Sequence, residues 1–438
     1  MSVRDRIYGA LELPPLAAEL ADSCPVLQRL REVRMANIPF ASFPSFANVT
    51  RFEHSLGVAH LAWRFARAQE LPKEEALALT LAGLYHDGAS PAFGHLYEEF
   101  LIADGFDHER ALVELLVGSD ALAGGADAQV FLGRRCRLKD KVPAIEPGSV
   151  LSSFGVADIL AGRHALSSVI AGSIDLDNID NVIRAASAMG LPSAGIVHPY
   201  EILDSLTLQD GALALSGSPS DAIARWQTVR AELYRAILAN TFEFRCQSAT
   251  KWAIALAAES EPLLAKRASW TLTEPELVFE HLRHHPRSRE LIDGVRLGSP
   301  PPQLLKIEVK DITPILNPPG LRRIAKTAHE IGELMQKPAY INFYIDKGPR
   351  PIALPRAGAS PGAPSGQESP HAVAPPAGVL GVFLLAGTGS DARHRHGPER
   401  AGRGQLSAQL AARLGLELTA SAPAHEAERE SAQLPIFA

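Results

Sequence analysis

Four side chains dispersed along the chain have the chemistry of metal ligands. His54 lies in RFEHSLGV, His86 and Asp87 are adjacent in LAGLYHDGASPAFGH, and Asp177 lies in SIDLDNID. Imidazole nitrogens and carboxylate oxygens together suit a borderline or hard divalent ion, and such a set leaves coordination positions open for water and substrate. The residue types therefore favour metal-assisted hydrolysis.

Arg51 stands three residues before His54, so on a helix the two side chains share a face. A guanidinium in that place would bind phosphate beside a metal-bound imidazole, whereas the plainer interpretation makes Arg51 a surface cation. Asp175, Asp177 and Asp180 equally fit the N-cap and first-turn acids of an ordinary helix. The residues alone leave both interpretations open.

Composition limits the setting of this chemistry. The 438 residues are 46% hydrophobic, enough for one large core or two smaller ones, so a soluble globular enzyme is expected. A net charge of -6 argues against a protein that coats nucleic acid through bulk positive charge. Cys24, Cys136 and Cys246 are too far apart for a disulfide framework, and no export or membrane segment is visible, which predicts a cytoplasmic protein.

The apolar pattern predicts a mainly α fold from about residue 15 to 290. In LPKEEALALTLAGLYHD, Glu74 and Glu75 suit a helix N-terminus, and the helix delivers His86 and Asp87 at its C-terminal end. Further helices are predicted at 55–70, 107–118, 151–170, 177–189, 221–240 and 247–258.

Composition changes towards the end of the chain and predicts four regions. The segments LLKIEVKDITPIL and AYINFYIDKGPRPIAL are typical of strands, and LRRIAKTAHEIGELMQ between them is typical of a helix. The predicted regions are a helical domain over 1–290, a small mixed α/β lobe over 291–354, a flexible Pro/Ala/Gly-rich linker over 355–377, and a partly disordered strand and helix extension over 378–438.

The motifs RFEHSLGVAHLA, YHDGASPAFGH, FDHERA and IDLDNID, in that order, closely resemble the HD-domain phosphohydrolases, specifically their deoxynucleoside triphosphate triphosphohydrolase branch. The resemblance implies a helical bundle core in which His54, His86, Asp87 and Asp177 hold a divalent metal ion. This ligand set accepts Fe, Mn, Ni, Co, Zn or Mg. The resemblance further implies a phosphorylated small molecule as substrate, a nucleotide in the first instance, and assembly as a homo-oligomer.

The same resemblance assigns roles to further residues. It implies that Arg51 and Arg230 contact substrate phosphate. His95, Glu98 and His108 correspond to positions near the metal, where they supply the proton donor and the base, or else orient the metal ligands.

Several positions depart from the family pattern. Ser90 stands where the triphosphohydrolases place a catalytic histidine, and a serine does not titrate near neutral pH. Asn181 and Ala185 replace a tyrosine and an aspartate around the deoxyribose, and Leu238 replaces a tyrosine near the nucleoside. We therefore expect Asn181 and Leu238 to contact a substrate other than an ordinary deoxynucleoside triphosphate.

The function predicted from the sequence is a metal-dependent phosphohydrolase that acts on a nucleotide or nucleotide-like phosphate ester, with triphosphohydrolase and monophosphatase as sub-cases. One alternative is an HD nuclease on single-stranded nucleic acid, with the basic segment Arg393 to Arg403 lining its cleft. The other is a catalytically weakened nucleotide-binding protein, which Ser90 would favour.

Overall fold

The computed structural model describes residues 3–36, 42–117, 151–172, 174–209, 212–216, 221–345, 354, 377–384 and 400–419. These residues form two compact units. The first is drawn mainly from Met1–Pro300, and the second from Pro301–Gly348 and Pro370–Ala438.

The first unit is helical apart from two short hairpins. Its helices are Pro15–Ser23, Pro25–Arg29, Arg51–Ala68, Lys73–Tyr85, His95–Leu101, His108–Val117, Ser153–Leu160, Ser167–Ile170, Leu176–Met189, Pro199–Leu203, Ala222–Ala239, Thr241–Ser260, Glu274–Glu276 and Pro286–Arg296, with a π-helical stretch at Leu277–Leu282. Antiparallel pairing joins Arg4–Asp5 to Gly9–Ala10 and Leu206–Gln209 to Ala212–Leu215. The prediction of a mainly α fold is confirmed.

Two helices build the centre of this unit. The helix Arg51–Ala68 begins where the Thr50 hydroxyl accepts a hydrogen bond from the Glu53 amide at 3.2 Å, as an N-cap does. It packs against Lys73–Tyr85, whose first turn contains Glu74 and Glu75 as predicted. A Cβ at Gly83 would lie only 3.2 Å from the Val58 carbonyl oxygen, so the small residue permits the close approach of the two helices.

The predicted helix over 151–170 is wrong in one respect. The structure has two helices there, Ser153–Leu160 and Ser167–Ile170. Gly162 adopts a φ of +76° between them, a left-handed conformation that ends a helix. Both helices bury apolar residues, so the apolar spacing continues through the break. A single long helix was predicted because the spacing is continuous.

The second unit is a small α/β structure. Its strands Gln303–Val309, Gly378–Leu384 and Ala339–Ile345 form an antiparallel sheet with Gly378–Leu384 in the middle. The helices Pro318–Met335 and Arg400–Leu414 belong to the same unit. Its core joins sheet residues to helix residues, namely Leu305, Ile307, Val309, Ile341, Leu380 and Val382 with Ile324, Ala328, Leu410, Ala411 and Leu414. The predicted mixed α/β lobe is present, but its predicted bounds of 291–354 are wrong, because the middle strand Gly378–Leu384 and the helix Arg400–Leu414 come from the region predicted as a separate extension.

Two predicted features fall outside the residues that the structure describes. They are nearly all of the linker over 355–377 and most of the basic segment from Arg393 to Arg403. Among the described residues, no helix combines the length and the apolar character that a membrane crossing requires.

Candidate metal centre

Three helices bring the four predicted metal ligands to one place. The helix Arg51–Ala68 packs against both Lys73–Tyr85 and Leu176–Met189. His54 lies in the first turn of the first helix and His86 directly follows the last residue of the second. Asp177 lies in the first turn of the third, where Asp175 is the N-cap and accepts a hydrogen bond from the Asn178 amide at 2.7 Å.

The ligand atoms of these residues lie close together. His54 Nε2 is 3.1 Å from His86 Nε2 and 2.9 Å from Asp177 Oδ1. Asp87 Oδ2 is 3.9 Å from His54 Nε2 and 3.7 Å from His86 Nε2. His86 Nε2 is also 3.7 Å from Asp177 Oδ1. Atoms that all bond one ion at about 2.1 Å lie roughly 3–4 Å from one another, so the spacing of His54, His86 and Asp87 fits a single divalent cation, and Asp177 lies within the same range of both histidines.

The electrostatics of the centre also fit a cation. Burial disfavours charge on the His54 ring, but hydrogen bonds with Asp177 and Asp180 outweigh burial and raise its pKa to about 10. Burial would raise the pKa of Asp87, yet the nearby Arg51 and the two histidines hold that pKa well below its ordinary value. The pocket therefore favours positive charge at its centre, a preference that a divalent ion would satisfy.

Both imidazoles are held through the nitrogen that faces away from the centre. His54 Nδ1 lies 2.7 Å from Asp180 Oδ2, and His86 Nδ1 lies 2.8 Å from the Gly83 carbonyl oxygen. With a proton on each Nδ1, the Nε2 lone pairs remain as metal donors. The sequence prediction missed this role of Asp180, which it treated as a helix-start acid.

Asp87 is fixed by two donors on one oxygen. The Arg51 guanidinium donates to Asp87 Oδ1 at 2.7 Å and the Ser90 hydroxyl donates to the same oxygen at 2.8 Å. The other oxygen, Oδ2, is the one near both histidines. Arg29 is buried beneath this turn and donates to the carbonyl oxygens of Gly88 and Ser90. Ser90 therefore orients a predicted metal ligand, a contact that its position in the sequence did not suggest.

The three residues predicted to act as acid and base also form one cluster. Glu98 is buried and accepts from His95 Nδ1 and His108 Nδ1, each at 2.8 Å. Burial would raise the pKa of Glu98, but its hydrogen bonds with His108 and His95 hold that pKa far below its ordinary value. Burial lowers the pKa of His108, but its hydrogen bond to Glu98 outweighs that effect and raises the pKa overall. The trio can hold and move a proton.

Apart from Arg51, the positions predicted near the substrate lie on two neighbouring helices. Asn181 and Ala185 lie on Leu176–Met189, which packs against Ala222–Ala239. Ala222–Ala239 carries Arg230 and Leu238. Arg230 is 5% exposed and its guanidinium lies 4.7 Å from the centroid of the Tyr234 ring, so contact with substrate phosphate stays a prediction. The structure describes Leu238 only as part of the helix.

The buried carboxyl group of Glu274 bonds two segments that are distant in sequence, one at Arg34 and one at Phe93. Glu274 accepts hydrogen bonds from the Arg34 amide at 2.8 Å and from Arg34 Nη1 at 3.1 Å. It also bonds the backbone of Phe93, a non-glycine residue with a φ of +55°. Phe93 and Gly94 form the turn that precedes His95. Glu274 therefore supports the strained turn from which His95 is presented.

We expect Glu274 to make stability depend on pH. Burial raises its pKa to about 7 from an ordinary 4.5, so the folded state binds more protons than the unfolded state between those values. The stabilisation from the protonated group is fully present below pH 4.5 and is lost as pH rises through 7. The unfolding free energy of the wild type, relative to Glu274→Gln, should fall by about 2–3 kcal/mol between pH 4.5 and 8 in urea titrations. A constant difference would contradict this.

Comparison with known proteins finds a domain family that matches part of the chain. A family model described as the HD domain matches residues 51–123, which contain three of the four predicted metal ligands. The deoxynucleoside triphosphate triphosphohydrolase SAMHD1 of Danio rerio is 34% identical over 123 residues, 25% of this chain and 20% of that protein. The Homo sapiens protein of the same name is 34% identical over 103 residues, 22% of this chain and 16% of that protein. The chain thus spans at most about a fifth of these relatives.

Two proteins without a stated function are similar to a larger share of this chain. The uncharacterized protein MJ1154 of Methanocaldococcus jannaschii is 27% identical over 208 residues, 47% of this chain and 37% of that protein. The crystal structure of a hypothetical protein from Aquifex aeolicus superposes with a TM-score of 0.63 over 94% of this chain and 99% of that one. At 17% identity this likeness shows a shared fold alone. The predicted resemblance is confirmed: residues 51–123 match the HD domain, and part of the chain is similar to deoxynucleoside triphosphate triphosphohydrolases.

Proposed function

We propose that this protein is a metal-dependent phosphohydrolase that cleaves a phosphoester of a nucleotide or nucleotide-like substrate. The observation that carries the proposal is the convergence of the four predicted ligands: His54 Nε2 and His86 Nε2 lie 3.1 Å apart, and each lies 2.9–3.9 Å from an oxygen of Asp87 and from an oxygen of Asp177. These four residues would hold the ion. When bound there, a divalent ion would polarise a phosphoryl oxygen and lower the pKa of a water molecule that attacks phosphorus.

Arg51 would bind the substrate phosphate beside these ligands. Its guanidinium lies 2.7 Å from Asp87 Oδ1, and its side chain is only 14% exposed, so it is already held at the centre. A planar guanidinium can bond two phosphate oxygens at once and stabilise the negative charge that grows on them. Arg230 would act as a second phosphate ligand from the helix Ala222–Ala239.

The His95, Glu98 and His108 cluster would handle the proton on the leaving oxygen. His95 has a 62% exposed side chain and His108 one of 19%, while Glu98 is buried between them. With Nδ1 of each ring bonded to Glu98, Nε2 remains as the atom that exchanges a proton with substrate or water. This cluster would take over the titrating role that Ser90 cannot perform, since Ser90 orients Asp87.

The site would discriminate only weakly between nucleosides. Ala185 is 1% exposed and offers no polar side chain to a sugar. A site that lacks hydrogen-bonding partners forfeits discrimination that can reach about 10⁴-fold when buried polar groups select the substrate. We therefore expect a nucleoside monophosphate or a modified nucleotide to be preferred over an ordinary deoxynucleoside triphosphate.

A substrate panel tests this proposal. Nucleoside mono-, di- and triphosphates, ribose and deoxyribose forms alike, would each be incubated with the purified protein and one divalent metal at a time, and the products separated by chromatography. The expected result is release of phosphate that requires a divalent metal, faster from a monophosphate or a modified nucleotide than from dGTP.

Two outcomes would contradict parts of the proposal. Release of inorganic triphosphate from several unmodified deoxynucleoside triphosphates at rates of about 1–10³ s⁻¹ would contradict the substrate preference and restore an ordinary triphosphohydrolase. Metal binding without hydrolysis of any nucleotide would contradict the enzymatic proposal. A parallel incubation with single-stranded DNA and RNA separates a non-catalytic nucleotide-binding protein from a nuclease.

A further inference from the structure

The carboxylate that holds His54 is itself held by an unusually complete set of donors. Asp180 Oδ2 lies 2.7 Å from His54 Nδ1 and accepts from Arg184 Nε at 2.8 Å. Asp180 Oδ1 accepts from Arg184 Nη2 at 2.8 Å and from the Tyr8 hydroxyl at 2.7 Å. Asp180 and Arg184 have no exposed side-chain surface. Because both oxygens are engaged, the carboxylate cannot turn without breaking charge-assisted hydrogen bonds.

Two of these donors, Tyr8 and Arg184, bond Asp5 in the N-terminal hairpin that pairs Arg4–Asp5 with Gly9–Ala10. Asp5 Oδ1 accepts from the Tyr8 amide at 3.1 Å, and Asp5 Oδ2 accepts from Arg184 Nη1 at 2.7 Å. The hairpin therefore contacts the Asp180–Arg184 pair twice, through Asp5 and through Tyr8. A methyl group at Gly57 would collide with Asp180 and Arg184, so the pair also lies directly against the helix that carries His54.

We propose that Tyr8 is a positioning residue for the metal centre: its hydroxyl fixes Asp180, which keeps the proton on His54 Nδ1 and the His54 Nε2 lone pair towards the ion. The inference rests on the proposed metal centre. It connects that centre to a hairpin more than forty residues upstream of its first ligand. Partners that orient metal-bound histidines affect metal affinity without contacting the ion.

The Tyr8 ring is held separately from its hydroxyl. It stacks on Tyr200 with ring centroids 5.8 Å apart and contacts the rings of His60 at 5.1 Å and His198 at 6.2 Å. Tyr8→Phe therefore keeps the ring packing and removes only the bond to Asp180. Tyr200 offers a matched control, because its hydroxyl bonds His60 Nε2 at 2.7 Å rather than Asp180.

The test is the dissociation constant of Mn²⁺, measured from the electron paramagnetic resonance signal of the free ion, for the full chain and its variants. Tyr8→Phe is expected to weaken Mn²⁺ binding about tenfold, at the lower end of the effect of losing an orienting partner. Tyr200→Phe is expected to bind Mn²⁺ like the wild type. Thermal unfolding of the metal-free proteins reports whether each variant folds.

A second measurement, by NMR, detects the proton on His54 Nδ1 directly and does not depend on metal affinities. In the zinc-loaded wild type, the Nδ1–H proton of His54 should give a protected, downfield NMR signal, which His54→Gln assigns. In Tyr8→Phe this signal is expected to shift or to exchange faster with water. For Tyr200→Phe the signal should be unchanged.

The outcomes separate this inference from the proposed function. Unchanged Mn²⁺ affinity and an unchanged His54 signal in Tyr8→Phe would overturn the role of Tyr8 while leaving the metal centre intact. Equal weakening by Tyr8→Phe and Tyr200→Phe would also overturn it, because the effect would then come from packing. A wild type that binds no divalent metal would overturn both the inference and the proposed metal centre.

Discussion

Replacing Asp87 with alanine is expected to abolish metal retention and phosphate release together. The change removes an anionic ligand from the centre and leaves His54 and His86 without one of the carboxylates that balance a bound cation. It also leaves Arg51 without its partner at 2.7 Å. We expect hydrolysis to fall by at least about 10³-fold and the bound metal, measured by atomic emission after desalting, to be lost. His86→Ala should give the same result.

A histidine far from these ligands in sequence provides the control. His329 lies in the helix Pro318–Met335, is 75% exposed and pairs only weakly with Glu333 at 3.4 Å. His329→Ala should keep metal content and activity. If Asp87→Ala retained stoichiometric metal and measurable turnover, Asp87 would not be a ligand, and the proposed centre would have to be abandoned.

Arg51→Ala is expected to separate phosphate binding from metal binding. A phosphate clamp acts in both the ground state and the transition state, so KM should rise and kcat/KM should fall about 10²–10³-fold. The metal should stay bound, since Arg51 donates to Asp87 Oδ1 while the metal-facing oxygen is Oδ2. Arg51→Lys should recover only part of the loss, because an ammonium cannot form the two-point contact of a guanidinium.

Arg67 is a matched control, because it lies in the last turn of the same helix. Its side chain is 62% exposed and pairs with Glu12 at 3.2 Å. Steady-state kinetics of Arg67→Ala should equal those of the wild type. Unchanged kinetics in Arg51→Ala on the best substrate of the panel would show that Arg51 serves only to orient Asp87.

The sequence predicted those parts of the protein that leave a local signal. Apolar spacing and helix-start residues predicted helices at or beside His54, His86 and Asp177, although the helix predicted over 55–70 begins earlier, at Arg51. The motif order predicted that these residues would meet. The break at Gly162 was missed because a glycine within continuous apolar spacing does not by itself mark the end of a helix.

The contacts that orient the centre could not be predicted, because they join segments far apart in the chain. The bond from Tyr8 to Asp180 spans 172 positions and the contact of Glu274 with Arg34 spans 240. Such pairs produce no periodicity within a window of a dozen residues. Ser90 shows the same limit at short range. Comparison with a catalytic histidine suggested a loss of function there, whereas the structure shows a hydroxyl that fixes Asp87.

The most direct test of the metal centre is an anomalous difference map from a crystal of the full chain grown with Mn²⁺. The expected map has a strong peak about 2.0–2.4 Å from His54 Nε2, His86 Nε2, and one carboxylate oxygen each of Asp87 and Asp177. A map with no peak among these four residues, but with fully occupied Mn²⁺ at another place, would contradict the assignment of the centre. The His95, Glu98 and His108 cluster is one such place.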